Sequence, residues 1–539
     1  MIEVSLDDFV RAHPIADPRS LQRSANTWLA ALRGDSFAPR LHVEGLAVDL
    51  FDALRSQILL RTGQAFHDAA LLETLREVHP AAKVRVTGRL ATPQFARLAR
   101  VLKQDWVEVP SGMNAGRLLD LAYLTRQAAR RTIPAPTNRT QKPQVIAVPR
   151  MAGHLADLVP VCRALEQRGE QTGWVAPALS AQLGHAGLLE LKLGGVREAL
   201  LKAALLRVRA MRVAHGIRVD GLRYPAAARY ALSLLLTEQL LDLVWFASAM
   251  ARLLIEVKPR IVLVGNPYTV EGRVSARLAS ALGVASACIE HGTIFADDPI
   301  WEDCPVDRVL VWGEPSRDAL LTCGVAGQAI AIVGAPRLDP YANASFQSRG
   351  RSVLVATSGP GDQVSNESHA KFIELLFEAA EALPDVEFVI KLHPKDSERN
   401  YQPAKLKRAN PRIKLLRGDR SRQGIDIFEF LAGARVLVTI ASTTALDAMA
   451  VGVPVVTVLE RPIEEYGHIE FLVRGCTTRV NTSSQLAAAL ALALDGKTDP
   501  KIQAAAQAYA GKHYANRGQA AVRAADELIR FAAERSAHA

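Results

Sequence analysis

Short apolar runs of four to six residues recur from position 145 onward, each set between segments of helical spacing. Val145–Val148, Ile261–Val264, Ala285–Ile289, Ser352–Ala356 and Val453–Val458 are almost wholly apolar. A strand covered on both faces reads as a continuous apolar run, not as an alternating one. Parallel neighbours need a crossover, usually a helix. The pattern therefore predicts an α/β chain built on doubly wound parallel sheets.

The alternation comes in two sets. The first opens with Val145–Val148, the helix Leu155–Arg168 and the strand Thr172–Ala176. A helical region over Leu188–Val257 follows. Then come Ile261–Val264, the helix Gly272–Leu282, Ala285–Ile289, Arg308–Trp312, the helix Pro315–Leu321 and Ala329–Val333. The second set runs from Ser352–Ala356 through the helix Ser368–Leu383 to Val386–Lys391, Arg412–Leu416, Arg435–Ile440, the helix Thr444–Val451 and Val453–Val458. Helices at Gln485–Leu494, Lys501–Tyr509 and Gly518–Glu534 close the chain. Two such sets imply two domains facing a cleft, and ligands in these folds bind beyond the carboxyl ends of the strands.

Ahead of both sets, Thr132–Gln144 holds three prolines and no apolar periodicity, which marks a linker. The first 140 residues read as a separate α/β extension, with strands at His42–Leu50 and Lys83–Thr87 and helices at Ala69–Val78 and Gln94–Lys103.

Hydrophobic residues make up 49% of the 539 and charged ones 22%, which excludes a disordered or collagen-like chain. A core of this size needs no disulfide or metal to hold it. The five cysteines form no C-x-x-C pair, as expected of reduced thiols in a cytoplasmic protein. Met1–Asp8 lacks the basic and apolar regions of a signal peptide. The most apolar stretch, Tyr230–Ile255, is interrupted by Glu238, Asp242 and Arg252, so it reads as buried helix. The net charge of +10 suits an acidic ligand, an anionic membrane or nucleic acid. The absence of zinc-finger spacing and of an RNP-type aromatic motif argues against nucleic acid.

Three groups at strand ends could carry chemistry. Glu290-His291-Gly292 follows Ala285–Ile289 and offers a base for an attacking hydroxyl. His393-Pro394 ends Val386–Lys391, with Lys391 and Lys395 beside it. Its imidazole could bind or protonate a phosphate. Ser442, Thr443 and Thr444 open the helix Thr444–Val451, where hydroxyls cap free amides and the dipole attracts phosphate. Asp447 could reach a ribose hydroxyl or complement that dipole. The small residues around Ser358 and Gly359 would admit a phosphate or sugar, but no P-loop follows them. His154 at a helix start is an alternative base. Arg337, in Gly334–Asp339, faces either a phosphate or an ion-pair partner. No aspartate lies two residues from another, and there is no H-E-x-x-H, so no metal is expected.

The order Glu290-His291-Gly292, His393-Pro394, Ser442-Thr443 resembles the motifs of bacterial surface-polysaccharide transferases of the GT-B fold. The similar families are polysialyltransferases, capsule Kdo transferases and CDP-glycerol glycerophosphotransferases, and Gly334–Asp339 resembles the G-x-P-R-x-D of the last. The resemblance covers Val145 to the C-terminus. It implies an acceptor domain over 141–340, a nucleotide-sugar donor domain over 341–515 and a crossing helix over 516–539. It implies a metal-independent inverting glycosyltransferase with no tightly bound cofactor. The co-substrate would be a nucleotide sugar, a CMP-linked acidic sugar ahead of CDP-glycerol or a UDP-sugar. The acceptor would be a cell-surface or lipid-linked glycan, met at the inner face of the cytoplasmic membrane. Glu290 would be the base. His393 would hold the nucleotide phosphate and act as acid, and Ser442 and Thr443 would hold that phosphate. The acidic-acidic-Gly motif has His291 at its second position, so the base order is Glu290, His291, His154. An epimerase of UDP-N-acetylglucosamine and a non-catalytic assembly protein are the competing classes. Leu200–Arg218, basic and rich in leucine, would suit a lipid surface or its own domain.

Overall fold

The structure is a computed structural model. It describes residues 1–13, 18–33, 37–41, 49–87, 91–108, 142–176, 179, 183, 188–189, 191, 196–294, 296, 301, 303–342, 351–357, 364, 366–393, 396–408, 412–416, 427–440, 442–459 and 469–538. The strands are β1 (Ile2–Ser5), β2 (Val84–Thr87), β3 (Val107–Glu108), β4 (Val145–Val148), β5 (Thr172–Trp174), β6 (Ile261–Val264), β7 (Ala285–Ile289), β8 (Arg308–Val311) and β9 (Ile330–Ile332). They continue with β10 (Ser352–Ala356), β11 (Glu387–Lys391), β12 (Ile413–Leu416), β13 (Val436–Thr439), β14 (Val455–Val458) and β15 (Thr478–Val480). They form a small sheet β1-β2-β3 and two six-stranded sheets, β5-β4-β6-β7-β8-β9 and β12-β11-β10-β13-β14-β15. The α/β class expected from the apolar runs is the class observed.

Two compact units divide the chain. The first holds Met1–Arg150, Gly173–Pro177 and Gly187–Ser286. In it, β4 pairs with β6 in parallel, Val145 opposite Ile261. Two long helices, Leu50–Val78 and Pro225–Val257, pack on each other. Asp49 caps the first by accepting from the Phe51 N–H at 2.8 Å. Of the strand expected over His42–Leu50, 42–48 lie outside the described residues, and Leu50 begins a helix. The helical region expected over Leu188–Val257 is two helices, Val196–Gly216 and Pro225–Val257. Pro225 in the first turn of the second suits a helix start, not an interior. The buried Arg273 is held by Asp52, Nη2 to Oδ1 2.6 Å, with Arg277 on the same carboxylate. Most of the proline-rich linker, 132–141, lies outside the described residues.

The second unit holds Met151–Thr172, Ala178–Ala186 and Ala287–Ala539. Its sheet shows why the runs are apolar. Val353 and Val355 of β10 pack with Val436, Val438, Phe388 and Ile390 on one face. Leu354 and Ala356 pack with Leu437, Leu446 and Met449 on the other. Successive side chains point to opposite faces, so a sheet covered twice needs apolar residues at every position. The last helix, Ala520–His538, is anchored by Asp339, whose carboxylate accepts from the Ala520 and Ala521 N–H groups at 2.9 and 2.7 Å. It packs on the helix Ala152–Gln167, with Arg168 Nε 2.5 Å from Asp526. Gly334 sits at φ +96°, and a Cβ there would lie 2.2 Å from the Ala515 carbonyl oxygen. Only glycine fits both conditions.

Candidate active site

In the sheet of the second unit, β10 is the first strand in sequence. β11 and β12 lie on one side of it and β13 to β15 on the other. The strand order reverses between β10 and β13, and ligands bind outside the carboxyl ends at such a reversal. Thr357 leaves β10 there, His393 follows β11, and Ser442 follows β13.

His393 is half-buried, and its backbone is fixed from two sides. Its N–H donates to Thr357 Oγ1 at 2.9 Å, and its carbonyl accepts from the Asp396 N–H at 2.8 Å. Asp396 is pinned in turn. Its carboxylate accepts from Asn400 Nδ2 and the Tyr401 hydroxyl, both at 2.8 Å, and lies 3.1 Å from His369 Nε2. Burial opposes its ionisation, but these partners, His369 foremost, outweigh it and bring the carboxyl down to about 2.

Ser442 stands just before Thr443, the N-cap of the helix Thr444–Ala450, which makes no side-chain capping bond. The Ser442 Oγ accepts from the Thr444 N–H at 3.2 Å and donates to Thr444 Oγ1 at 3.1 Å, while the Ser442 N–H donates to Thr439 Oγ1 at 3.3 Å. Thr443 is exposed.

Arg337 and Asp447 face each other, the ion-pair alternative of the sequence reading for Arg337. Arg337 Nη2 donates to Asp447 Oδ1 at 2.9 Å and to the Tyr514 oxygen at 3.3 Å. The Tyr514 hydroxyl donates to the same Asp447 oxygen at 2.8 Å. The Arg337 N–H donates to Asp157 Oδ1 at 3.3 Å, and Nη1 lies 3.7 Å from Asp157 Oδ2. The guanidinium stands 4.0 Å from the Trp312 ring centre. Arg337 thus faces two buried carboxylates, and Asp447 Oδ1 is turned toward it and Tyr514. Burial lifts the Asp157 carboxyl to about 6 despite Arg337.

Glu290 and His291, adjacent in sequence, sit in different surroundings. Glu290 is 2% exposed. Its Oε2 accepts from the Trp312 N–H and its Oε1 from the Ser316 hydroxyl, each at 2.7 Å. Burial raises its carboxyl to about 8, against the lowering effect of these donors and Arg337. The carboxyl ties the end of β7 to the turn after β8 and to the helix Glu314–Thr322. His291 is half-buried. Burial, with Arg337 nearby, holds its imidazole down to about 4, so it is neutral at neutral pH. Its ring meets that of the buried His154 edge-on, centroids 4.9 Å apart. His154 lies in the first turn of the helix Ala152–Gln167.

Thus His154, His291 and Glu290 gather around the end of β7, and Thr357, His393 and Ser442 around the reversal at β10. The Arg337–Asp447 pair links the first group to the helix Thr444–Ala450 that follows Ser442. Ser358, Gly359, Pro394 and Lys395 lie outside the described residues. Sequence reasoning missed Asp157, Trp312, His369, Asp396, Tyr401 and Tyr514. Two carried a usable spacing: Asp157 is one helical turn beyond His154, and Asp396 closes a four-residue turn begun by His393. Among the described residues, no group of three or more His, Cys, Asp or Glu could hold a metal ion.

Residues 317–465 match the family described as "Putative glycosyltransferase (DUF6716)". That stretch contains Arg337, His393, Ser442 and Asp447 and leaves out His154, Glu290 and His291. No curated protein matches the sequence. Among solved structures, the S. aureus MnaA–UDP co-structure is similar at 15% identity, over 72% of this chain and 96% of that one, with a TM-score of 0.46. UDP-GlcNAc 2-epimerase from Neisseria meningitidis bound to UDP-GlcNAc is similar at 15% identity, over 72% and 99%, with a TM-score of 0.44. The glycotransferase of kitacinnamycin is similar at 17% identity, over 72% and 99%, with a TM-score of 0.43.

Proposed function

We propose that this chain is a metal-independent inverting glycosyltransferase that uses a nucleotide-activated sugar. The observation that carries the reading is the placement of Thr357, His393 and Ser442 at the strand-order reversal of one parallel sheet, inside a stretch matching a glycosyltransferase family. Amides and hydroxyls at Ser442–Thr444 offer a phosphate seat. His393, its backbone held by Thr357 and Asp396, faces the leaving phosphate. His291 is the base, ahead of His154 and Glu290. It is the most exposed of the three and is neutral, whereas both Glu290 oxygens already have donors.

In the reaction an acceptor hydroxyl attacks the anomeric carbon. Its proton passes to His291. The bond from that carbon to the phosphate oxygen breaks, and the nucleotide leaves with both electrons. Preorganised donors around the phosphate would stabilise the developing charge. The motif order favours a CMP-linked acidic sugar as donor and a cell-surface glycan as acceptor, with the protein in the cytoplasm. On this reading 141–340 serves the acceptor, 341–515 the donor, 516–539 is the crossing helix and 1–140 is an extension.

Incubation with CMP-, UDP- and GDP-linked sugars and with CDP-glycerol, with and without a glycan acceptor, tests the proposal. Nucleotide release that depends on acceptor, with an inverted linkage, is the expected result. Free sugar formed without acceptor would place the chain among epimerases or hydrolases. A phosphodiester product from CDP-glycerol would make it a glycerophosphotransferase.

A further inference from the structure

In the first unit, the helix Val196–Gly216 packs on Pro225–Val257 and on the short helix Ala38–Leu41, and its Ala203, Leu206, Ala210 and Ala214 are buried. These are spaced along one face, so the opposite face points away from the unit. That face carries Leu201, Leu205 and Val208, which are 67%, 57% and 51% exposed, and Arg212 one turn further on. A soluble surface helix normally places polar residues there. Exposed Arg207 and Arg209 flank the apolar row, and the chain from Leu201 to Val219 holds no Asp or Glu.

We infer that this helix is a membrane-surface element that lies in the headgroup region of an anionic lipid bilayer. Leu201, Leu205 and Val208 would enter the acyl boundary, and the arginines would reach the lipid phosphates on their long stems. The charge decides among possible occupants. A second copy would bring the same positive face and be repelled. A nucleic acid would meet the arginines but leave the leucines in water. An anionic bilayer satisfies both features, each basic residue adding to the attraction. Among the described residues no helix is long and apolar enough to cross a membrane, so the contact is peripheral.

The test is sedimentation of the full chain with phosphatidylcholine vesicles and with vesicles in which phosphatidylglycerol replaces part of that lipid. Thermal melting of each variant monitors folding. The chain should sediment with the anionic vesicles only, and less at high salt. The combined Arg207→Glu, Arg209→Glu, Arg212→Glu variant should bind at least about tenfold more weakly. The Leu201→Ser, Leu205→Ser variant should also lose binding while melting as the parent does. Equal partition onto neutral vesicles, no sedimentation with anionic ones, or unchanged binding by the charge-reversed variant would overturn the inference. A dimer in solution that the serine variant disrupts would overturn it in favour of a second copy. None of these readouts uses transferase activity, so they stand or fall apart from the proposed reaction.

Discussion

Glu290 and His291 occupy consecutive positions, yet their surroundings assign them opposite work. Glu290 has donors on both oxygens and a carboxyl raised to about 8 by burial. His291 is the more exposed and is held down to about 4. A base must be unprotonated to act, so the acid limb of kcat/KM reports which residue serves. With His291 the rate stays flat downward from neutral pH and falls only near pH 4. With Glu290 the limb would lie near pH 8. His291→Ala should lower kcat by about 10²–10⁴-fold while nucleotide affinity holds; an unchanged kcat would return the role to Glu290 or His154. Arg337 belongs to the same scale. Arg337→Ala leaves Asp157 and Asp447 buried without their cation, and breaking a buried pair costs about 3–5 kcal/mol. Chemical denaturation should show that loss, and a variant as stable as the parent would contradict the ion network.

Asp396, whose N–H donates to the His393 carbonyl, is itself held by the side chains around it. Asp396 holds His369, Asn400 and Tyr401, and its carboxyl sits near 2, below the ordinary aspartate value of 3.8. A depressed carboxyl contributes stability that is present above about 3.8 and is lost as pH falls through about 2. Asp396→Asn should therefore be less stable than the parent at neutral pH, with the gap closing as the pH drops toward 2. It should also weaken nucleotide binding on the order of tenfold, the worth of one or two hydrogen bonds. Unaltered affinity would separate this network from the site. The same region shows what the sequence can disclose. β10 and β13 were legible because both of their faces are buried, which leaves an unbroken apolar run. His393 and Ser442 were legible because they stand where those runs stop. Asp396, Tyr401 and His369 were not, since a polar residue looks the same in sequence whether it is solvated or supports a neighbour. Leu50 was misread because a helix buried on several sides, as Leu50–Val78 is, loses the one-sided periodicity by which helices are recognised.

Across the whole chain, the parallel sheets follow from local pattern, whereas the ion network depends on distant partners. Arg337 meets Asp157, 180 positions earlier, Asp447, 110 later, and Tyr514, 177 later. No local spacing announces such convergence, and only the Gly334–Asp339 motif hinted at it. The terminal helix is a further long-range partner, seated on Asp339. The proposed function unites these features in a nucleotide seat at the β10–β13 reversal, and calorimetric titration of CMP, CDP, UDP and GDP into the full chain tests that seat most directly. At least one nucleotide should bind, His393→Ala should weaken it about tenfold or more, and His291→Ala should leave it unchanged. Failure of all four to bind the folded protein would contradict the proposed seat.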